Sequence, residues 1–261
     1  MDGFGVQLDE LSIAILTVHR EPAYIHQTLA GLFSSGPEIF DVAAIEIFVD
    51  GNNRKYLRQY EGHPLLRLHY LSEQEHEEES KRTIHSRLCF NYCRCLGTNV
   101  LRGLVILEDD VLVRIGFLKC LTQAILEIED SGLREYVLGL HSKANLPGNP
   151  NNYRGQFYVR YPPIRYYGLQ GMYYPKAIIP EIREYVFTHG VQNYRRPGDL
   201  LIKELMRKRQ ILYNTAWDLV EHMGEVSTGL GDGRAWASAT FRRPWVPLMP
   251  PTTGGDATAT S

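Results

Sequence analysis

The stretch Leu104-Val105-Ile106-Leu107-Glu108-Asp109-Asp110 decides the fold class, because an apolar run leads directly into three acids. A short apolar run of this kind predicts a buried strand. Carboxylates that close such a strand lie at the carboxyl edge of the sheet, where open α/β sheets bind their ligands. A helical pattern starts near Gly116, and the order of strand, acids and helix suits a cation held against a phosphorylated ligand. A solvated turn with an acidic helix start is the alternative interpretation.

The chain upstream of the acids alternates between strand and helix patterns. Strands are predicted at Leu11–Val18, Ala44–Val49 and Leu66–Leu71, and helices after Pro22 and at Lys81–Leu96. Strands separated by helices of roughly 10–20 residues indicate βαβ crossovers and a mostly parallel sheet. The sequence therefore predicts an α/β fold with helices flanking a central sheet.

The regular pattern ends after Val137-Leu138-Gly139-Leu140. Residues 141–170 are rich in Asn, Pro, Gly and Tyr, and the segment is too long for an idle connection, so it is a candidate substrate-binding loop or short hairpin. Helices are predicted at Lys176–Phe187 and Leu200–Lys208. We expect one domain over residues 1–243 and a flexible C-terminal tail over residues 244–261, whose composition does not favour a packed core.

The composition excludes several classes of function. The chain has 28 basic and 30 acidic residues, so its charge gives no reason to expect a nucleic-acid partner or an anionic membrane surface. There is no apolar run of about 18 residues and no signal-peptide pattern, so we expect no transmembrane segment and, for the sequence as it stands, a cytoplasmic location.

The four cysteines, Cys89, Cys93, Cys95 and Cys120, do not form a C-x-x-C pair. Cys89 and Cys93 are spaced to lie on one face of a helix. Buried free thiols in a reducing compartment are therefore expected, and a zinc site is not.

The turn after the first strand, Thr17-Val18-His19-Arg20-Glu21-Pro22, contains no glycine, so it is neither a dinucleotide fingerprint nor a P-loop. Phosphate binding would have to come from cations and a metal ion. Arg20 follows the first strand, and Lys81, Arg82 and Arg87 lie at or near a helix start, where any of them could pair with a diphosphate. Each is otherwise a solvated surface cation.

Two residues downstream of the acids are candidates for a general base and a metal ligand. Asp199 follows Pro197-Gly198 at a predicted helix start, where it is expected to be the N-cap and where a fixed carboxylate could also serve as a general base. His222 ends the apolar stretch Leu219-Val220 and is followed by Gly224 and small hydroxyl residues, a composition typical of a loop over a ligand. A structural histidine is the alternative, but with Asp110 as a metal ligand an imidazole nitrogen would suit Mn²⁺.

The order of these elements resembles a GT-A-type glycosyltransferase, and more closely the N-acetylglucosaminyltransferase IV family. The resemblance spans roughly residues 11 to 230 and rests on an ordered set of stretches. These are Leu16–Glu21 with the Leu29–Phe33 helix, Asn91–Cys93 leading into Leu107–Asp110, Arg196–Leu201, and Glu221–Gly224 with Ser227. It implies a single GT-A-like domain with a Rossmann-like nucleotide-binding half and an acceptor-binding half.

The resemblance also implies a metal-dependent, inverting transfer from a UDP-sugar, with UDP-N-acetylglucosamine as the favoured donor and Mn²⁺ or Mg²⁺ as the cofactor. Asp110 would bind the metal and His222 would complete its shell. Asp199 would deprotonate the acceptor hydroxyl as the catalytic base. The expected donor-binding residues are Thr17, His19, Arg20, Asp50, Arg87, Glu108, Asp109 and Ser227, with Asp50 near the base and Glu108 and Asp109 near the ribose and sugar.

The acceptor is expected to be a carbohydrate or glycoconjugate. Tyr166, Tyr167 and Gln170 are candidate sugar contacts, because aromatic faces stack on pyranose rings. The family's membrane anchor, stem and appended carbohydrate-binding domain have no counterpart here, and residues 141–170 have no match, so the N-glycan acceptor does not carry over. A Golgi-type lumenal origin would apply if the chain is a trimmed form of a longer protein.

Two other functions stay open at this point. One is a sugar-nucleotide nucleotidyltransferase, which would normally show a glycine-rich, basic loop after the first strand. The other is a non-catalytic nucleotide- or sugar-binding module, in which the acids and Asp199 would be structural.

Overall fold

The computed structural model describes residues 6–18, 23–51, 54–71, 81–141, 157–160, 169–193 and 196–223. Its strands are β1 Leu11–Val18, β2 Ala44–Asp50, β3 Leu66–Tyr70, β4 Gly103–Glu108, β5 Val111–Val113, β6 Val137–Gly139, β7 Tyr158–Arg160, β8 Gly171–Pro175, β9 Leu212–Thr215 and β10 Val220–His222. Its helices are α1 Ile25–Phe33, α2 Lys81–Cys95, α3 Phe117–Asp130, α4 Ile179–Val186 and α5 Gly198–Arg209.

Eight of these strands form one sheet in the order β3-β2-β1-β4-β8-β6-β9-β7. Neighbouring strands are parallel from β3 to β4 and between β6 and β9. The pairings of β8 with β4 and β6, and of β7 with β9, are antiparallel. The α/β fold class with a mostly parallel central sheet is confirmed.

The sheet separates two apolar layers, because successive side chains of a strand point to opposite faces. Ile13 and Ile15 of β1 pack in one layer with residues of α1 and α3. Ala14, between them, packs in the other layer with residues of α2, α4 and α5. Strands covered on both faces read as continuous apolar runs, which is why β1, β2 and β4 are visible in the sequence.

The antiparallel strand β8 fits closely against β4. A Cβ atom placed on Gly103 would lie 2.7 Å from Cζ of Tyr173, so the aromatic ring occupies the space that a larger residue would need. Sequence reasoning missed β8 and β9. β8 is buried along its whole length and carries neither a period-2 alternation nor a β-branched residue, so it lacks the usual strand signals.

The carboxyl ends of six strands lie at one edge of the sheet. β1 to β4 are mutually parallel, β6 runs the same way because both β4 and β6 are antiparallel to β8, and β9 is parallel to β6. Helix α2 starts at this edge, since it returns the chain from the end of β3 to the start of β4. The short strands β5 and β10 form a separate antiparallel ribbon.

The structure corrects the predicted end of one strand and the predicted N-cap of one helix. β2 extends one residue beyond its predicted end at Val49, so Asp50 is its last residue. Asp199 is not the N-cap of its helix, because Pro197 takes that position with an extended ψ and Asp199 lies inside the first turn.

The expected free, buried thiols are confirmed. Among the described residues, no helix is long and apolar enough to cross a membrane. The tail at 244–261 lies outside them.

Candidate active site

Glu108, Asp110 and His222 form a cluster of three potential metal ligands. Each offers one ligand atom, and these atoms all lie within 4.8 Å of one another. Nε2 of His222 lies 3.3 Å from Oδ2 of Asp110, and Asp110 is buried with 6% of its surface exposed. Ligand atoms at about 2.0–2.3 Å from a common ion must lie within roughly 4–4.6 Å of one another, so the cluster is near the size that a cation requires.

The ribbon of β5 and β10 holds the cluster together. β5 follows the acids directly, and its first residue, Val111, pairs with His222 of β10. The amide of Met223 donates a hydrogen bond of 2.7 Å to the carbonyl of Asp110. Backbone hydrogen bonds therefore keep His222 beside Asp110. The position of the imidazole does not require hydrogen bonds from its own ring nitrogens.

The chemistry of the three side chains fits a divalent cation with mixed ligands. Two carboxylates and one imidazole suit Mn²⁺, which accepts oxygen and nitrogen donors. Among the described residues, the buried Nδ1 of His222 has no hydrogen-bond partner. The same geometry would also suit an ion pair between a protonated His222 and Asp110. Glu108 was assigned by sequence to the donor and not to the metal, and the structure brings it into the same cluster.

Asp109 has a different environment from its two neighbours. Only 3% of its surface is exposed, and Oδ2 accepts a hydrogen bond of 2.6 Å from Oγ1 of Thr17. Thr28 of α1 donates through its hydroxyl to the Asp109 and Val111 carbonyls, at 2.6 and 2.8 Å. These bonds fix the acidic turn to β1 and α1. Donor contacts by Thr17 and Asp109 stay predictions.

Asp50 and Arg87 meet at the carboxyl edge. The Arg87 guanidinium donates to Oδ2 of Asp50 and forms an ion pair in which the carboxylate side chain is 2% exposed. Burial lowers the pKa of Arg87 from its ordinary value. The sequence placed these residues separately, near the base and near the diphosphate, and the structure makes them one unit beside the end of β1, where Asp50 pairs with Val18.

Asp199 lies half-buried in the first turn of α5. Burial raises the pKa of its carboxyl group from the ordinary value, while backbone N–H groups of Leu200 and Asp199, His85 and Lys203 act in the opposite direction. A raised pKa makes a carboxylate a stronger proton acceptor. The start of α5 packs against α2, where Cys89 contacts the Arg196 carbonyl.

Two further residues occupy this edge. His141 follows β6, is buried, and donates from Nδ1 to the Val220 carbonyl at 3.1 Å, since a carbonyl can only accept. Sequence reasoning missed it, although a polar residue directly after an apolar strand was the signal used for Glu108. Gln170, a predicted sugar contact, is buried, and its backbone carbonyl accepts from the Glu108 amide at 3.2 Å.

Five predicted site residues, His19, Arg20, Tyr166, Tyr167 and Ser227, lie outside the described residues.

Two comparisons by sequence found no match for this chain, and one comparison by structure found distant similarity. The sequence matches no family model. It also matches no curated protein. Among solved structures, the apo-form glycosyltransferase GlyE of Streptococcus pneumoniae TIGR4 is similar, with a TM-score of 0.47 and 10% sequence identity. The match covers 77% of this chain and 44% of that chain, so this chain spans less than half the length of that structure. Similarity at this level carries no argument about activity.

Proposed function

We propose that this protein is a metal-dependent, inverting glycosyltransferase that moves a sugar, with N-acetylglucosamine favoured, from a UDP-sugar to an acceptor hydroxyl. The observation that supports this most is the cluster of Glu108, Asp110 and His222 at the carboxyl edge of a mostly parallel sheet. Open α/β sheets bind ligands at that edge. Mn²⁺ or Mg²⁺ would be held by these three side chains.

The donor would lie along the edge from β2 to β4. Asp50 and Arg87 supply a carboxylate and a guanidinium at the end of β2, and the acidic cluster follows β4. A carboxylate can accept a hydrogen bond from the base, a guanidinium can pair with a diphosphate, and the acidic cluster can bind a divalent cation. A divalent cation stabilises the charge that develops on a departing diphosphate, so no general acid is required.

Asp199 is the proposed general base. Its carboxylate would take the proton of the acceptor hydroxyl while that oxygen attacks the anomeric carbon and the bond from this carbon to the diphosphate oxygen breaks. The electron pair of the broken bond leaves with UDP, and direct displacement inverts the anomeric centre. A partly buried carboxylate with a raised pKa is suited to this step, which is worth about 10²–10⁴-fold in rate.

Titration of the whole chain with UDP, with and without Mn²⁺, tests the donor half of this proposal. We expect UDP to bind with measurable heat only when Mn²⁺ is present. Donor screening across UDP-sugars, followed by NMR of the anomeric configuration of the product, tests the reaction. UDP binding that ignores Mn²⁺ would contradict the proposal. UTP and a sugar 1-phosphate as substrates would indicate a nucleotidyltransferase, and binding without turnover of any donor would indicate a binding module.

A further inference from the structure

The end of β6 contacts β10 through its backbone. Leu140, which follows β6, accepts hydrogen bonds from the amides of Leu219 and Val220, at 2.8 and 3.3 Å. The amide of Leu140 donates to the carbonyl of Gly171, the first residue of β8, at 3.0 Å. One residue at the carboxyl edge therefore joins the ribbon of β5 and β10 to the eight-stranded sheet.

Val220 is the residue of β10 whose backbone faces this contact. In the ribbon, the amide of Arg114 donates to the Leu219 carbonyl at 3.0 Å. Hydrogen-bonded and non-hydrogen-bonded pairs alternate in antiparallel strands, so the next pair, Val220 with Val113, is a non-hydrogen-bonded one. The N–H and C=O groups of Val220 therefore point away from β5. Because Val220 is buried, both groups need partners outside the ribbon.

His141 supplies a donor to the Val220 carbonyl. Its side chain is buried, and Nδ1 donates to this carbonyl at 3.1 Å. The side chain of Val220 is held by packing as well. A Cβ atom placed on Gly171 would lie 2.9 Å from Cγ2 of Val220 and 3.3 Å from Cδ2 of Leu107, so these side chains fill the space beside the glycine. Backbone and side chain of Val220 are thus both fixed to the eight-stranded sheet.

This anchor bears on the metal cluster because the three potential ligands belong to two separate units. Glu108 is the last residue of β4 in the eight-stranded sheet, whereas His222 is the last residue of β10 in the ribbon. Asp110 lies between β4 and β5 and connects the two units. Hydrogen bonds within the ribbon keep His222 beside Asp110, but they do not set its distance from Glu108. That distance depends on where the ribbon sits against the sheet.

We propose that His141 is a positioning residue for the metal site, which anchors β10 through the Val220 carbonyl and so places the imidazole of His222 where it can share a cation with Glu108. This inference rests on the proposed function of the cluster and adds a residue to the same site. His141 is not one of the three clustered ligands, and it acts on the cation through β10. Groups that orient metal ligands are typically worth about 10–100-fold in metal affinity.

Three substitutions of His141 separate its hydrogen bond from its bulk. His141→Leu removes the donor. His141→Asn keeps a donor, because the amide nitrogen of Asn stands as many bonds from the backbone as Nδ1 does. His141→Gln places its amide nitrogen one bond further out, in the position of Nε2. We expect Mn²⁺ affinity, measured by titration calorimetry on the full chain, to fall by about 10–100-fold in the Leu and Gln variants and to be nearly retained in the Asn variant.

Thr215→Val is the matched control. Oγ1 of Thr215 is buried and donates to the Gly139 carbonyl at 3.3 Å, so this change removes a hydrogen bond at the same end of β6 that does not involve β10. It should lower the stability of the protein, as His141→Leu does, and leave Mn²⁺ affinity unchanged. The comparison separates loss of stability from loss of positioning.

Electron spin echo spectroscopy of bound Mn²⁺ gives a readout that a merely structural role would not change. Nitrogen coupling from the His222 imidazole should appear in the wild-type protein and be absent in His222→Gln. We expect this coupling to persist in His141→Asn and Thr215→Val, and to weaken or disappear in His141→Leu and His141→Gln.

Amide hydrogen exchange tests the anchor in the metal-free protein. The Leu219 amide, which donates to the Leu140 carbonyl, should exchange about tenfold faster in His141→Leu and His141→Gln than in the wild-type protein or His141→Asn. Nitrogen coupling and Leu219 exchange that are the same in His141→Leu as in the wild-type protein would overturn the inference. If the Leu variant does not fold, the Asn and Gln variants decide, and equal behaviour of these two would overturn it.

Failure of the proposed function gives a different result. Nitrogen coupling and Leu219 exchange that depend on His141, in a protein that transfers no sugar, would support the inference and contradict the proposed function. Sugar transfer that requires Mn²⁺, with a nitrogen coupling that ignores the His141 substitutions, would support the proposed function and overturn the inference. A wild-type protein without nitrogen coupling from His222 would overturn both the ligand set and the role of His141.

Discussion

The hydroxyl of Thr17 donates to the Asp109 carboxylate at 2.6 Å, across 92 positions of sequence. Thr17 lies near the end of β1, and Asp109 lies between Glu108 and Asp110. The bond therefore fixes the middle of the acidic triplet to the neighbouring strand, and it does so in a buried setting where water cannot replace it. The side chains on either side of Asp109, those of Glu108 and Asp110, remain in the cluster of potential metal ligands.

Thr17→Val should destabilise the protein by about 1.5–3 kcal/mol, because it removes a buried hydrogen bond to a charged group and leaves the Asp109 carboxylate short of a donor. Urea denaturation followed by circular dichroism measures this difference. Thr122→Val is the matched control, since the Thr122 hydroxyl is exposed and donates to the Lys119 carbonyl of its own helix. Equal losses of stability in the two variants would show that the buried hydrogen bond stabilises the fold no more than the exposed one does.

Asp110→Asn should abolish the dependence of UDP binding on Mn²⁺. The change removes the negative charge from the centre of the cluster while it keeps the size of the side chain, and a neutral amide is a weaker ligand for a hard cation. Titration calorimetry with UDP and Mn²⁺ measures the effect. Asp130→Asn makes the same change at the exposed end of α3 and should bind as the wild-type protein does. Unaltered metal-linked affinity in Asp110→Asn would remove Asp110 from the ligand set.

Asp199→Asn should reduce sugar transfer by about 10²–10⁴-fold and leave binding of UDP and Mn²⁺ nearly unchanged. The amide cannot accept the proton of the acceptor hydroxyl, but it lies in α5 and not among the donor residues. Initial rates of UDP release in the presence of acceptor, together with the calorimetric titration, separate the two effects. Full turnover in this variant would exclude Asp199 as the base.

The same variant should be more stable than the wild-type protein at neutral pH. Burial raises the pKa of Asp199, so this group favours the folded state below its unfolded pKa of about 3.9 and loses that contribution as pH rises through the folded pKa. Asn removes the burial penalty on the charge and still accepts backbone hydrogen bonds. Thermal melts of both proteins should differ most near pH 7 and converge toward pH 4. A constant difference across this range would argue against a raised pKa.

The cysteines of the folded protein should resist alkylation at pH 8. Burial raises the pKa of the Cys89 and Cys93 thiols to about 12 and that of Cys120 to about 11, and it raises the pKa of Cys95 as well. Only the thiolate reacts with iodoacetamide, and its fraction is then very small. Mass spectrometry of protein treated with and without urea measures the modification. Rapid labelling of the native chain would contradict the burial of these four thiols.

Most of the parallel part of the sheet could be predicted from sequence because β1, β2 and β4 are buried on both faces and read as apolar runs, while β3 alternates. The predicted bounds of these four strands agree with the structure to within one or two residues. β8 and β9 could not be found in this way. Tyr173, Tyr174 and Asn214 owe their strand conformation to the strands beside them, which is tertiary information.

The proximity of Asp110 and His222 could be proposed from sequence, but the sequence alone could not establish it. Both follow apolar stretches, which predicts an edge position for each, but the ribbon that brings them together is only three residues long on each side. The ion pair of Asp50 with Arg87 was hidden for a similar reason, since the turn of α2 that faces β2 is set by packing. Asp199 was found at its helix start, although its place within the first turn was not.

The ribbon of β5 and β10 also has a consequence for the order in which the site is assembled. Glu108 and Asp110 are synthesised long before His222, so the growing chain would at first present two carboxylates of the proposed metal site without the imidazole. The third proposed ligand would join them only when β10 pairs with β5. If the cluster binds a cation, tight binding would report that synthesis has passed residue 222 and that this pairing has formed.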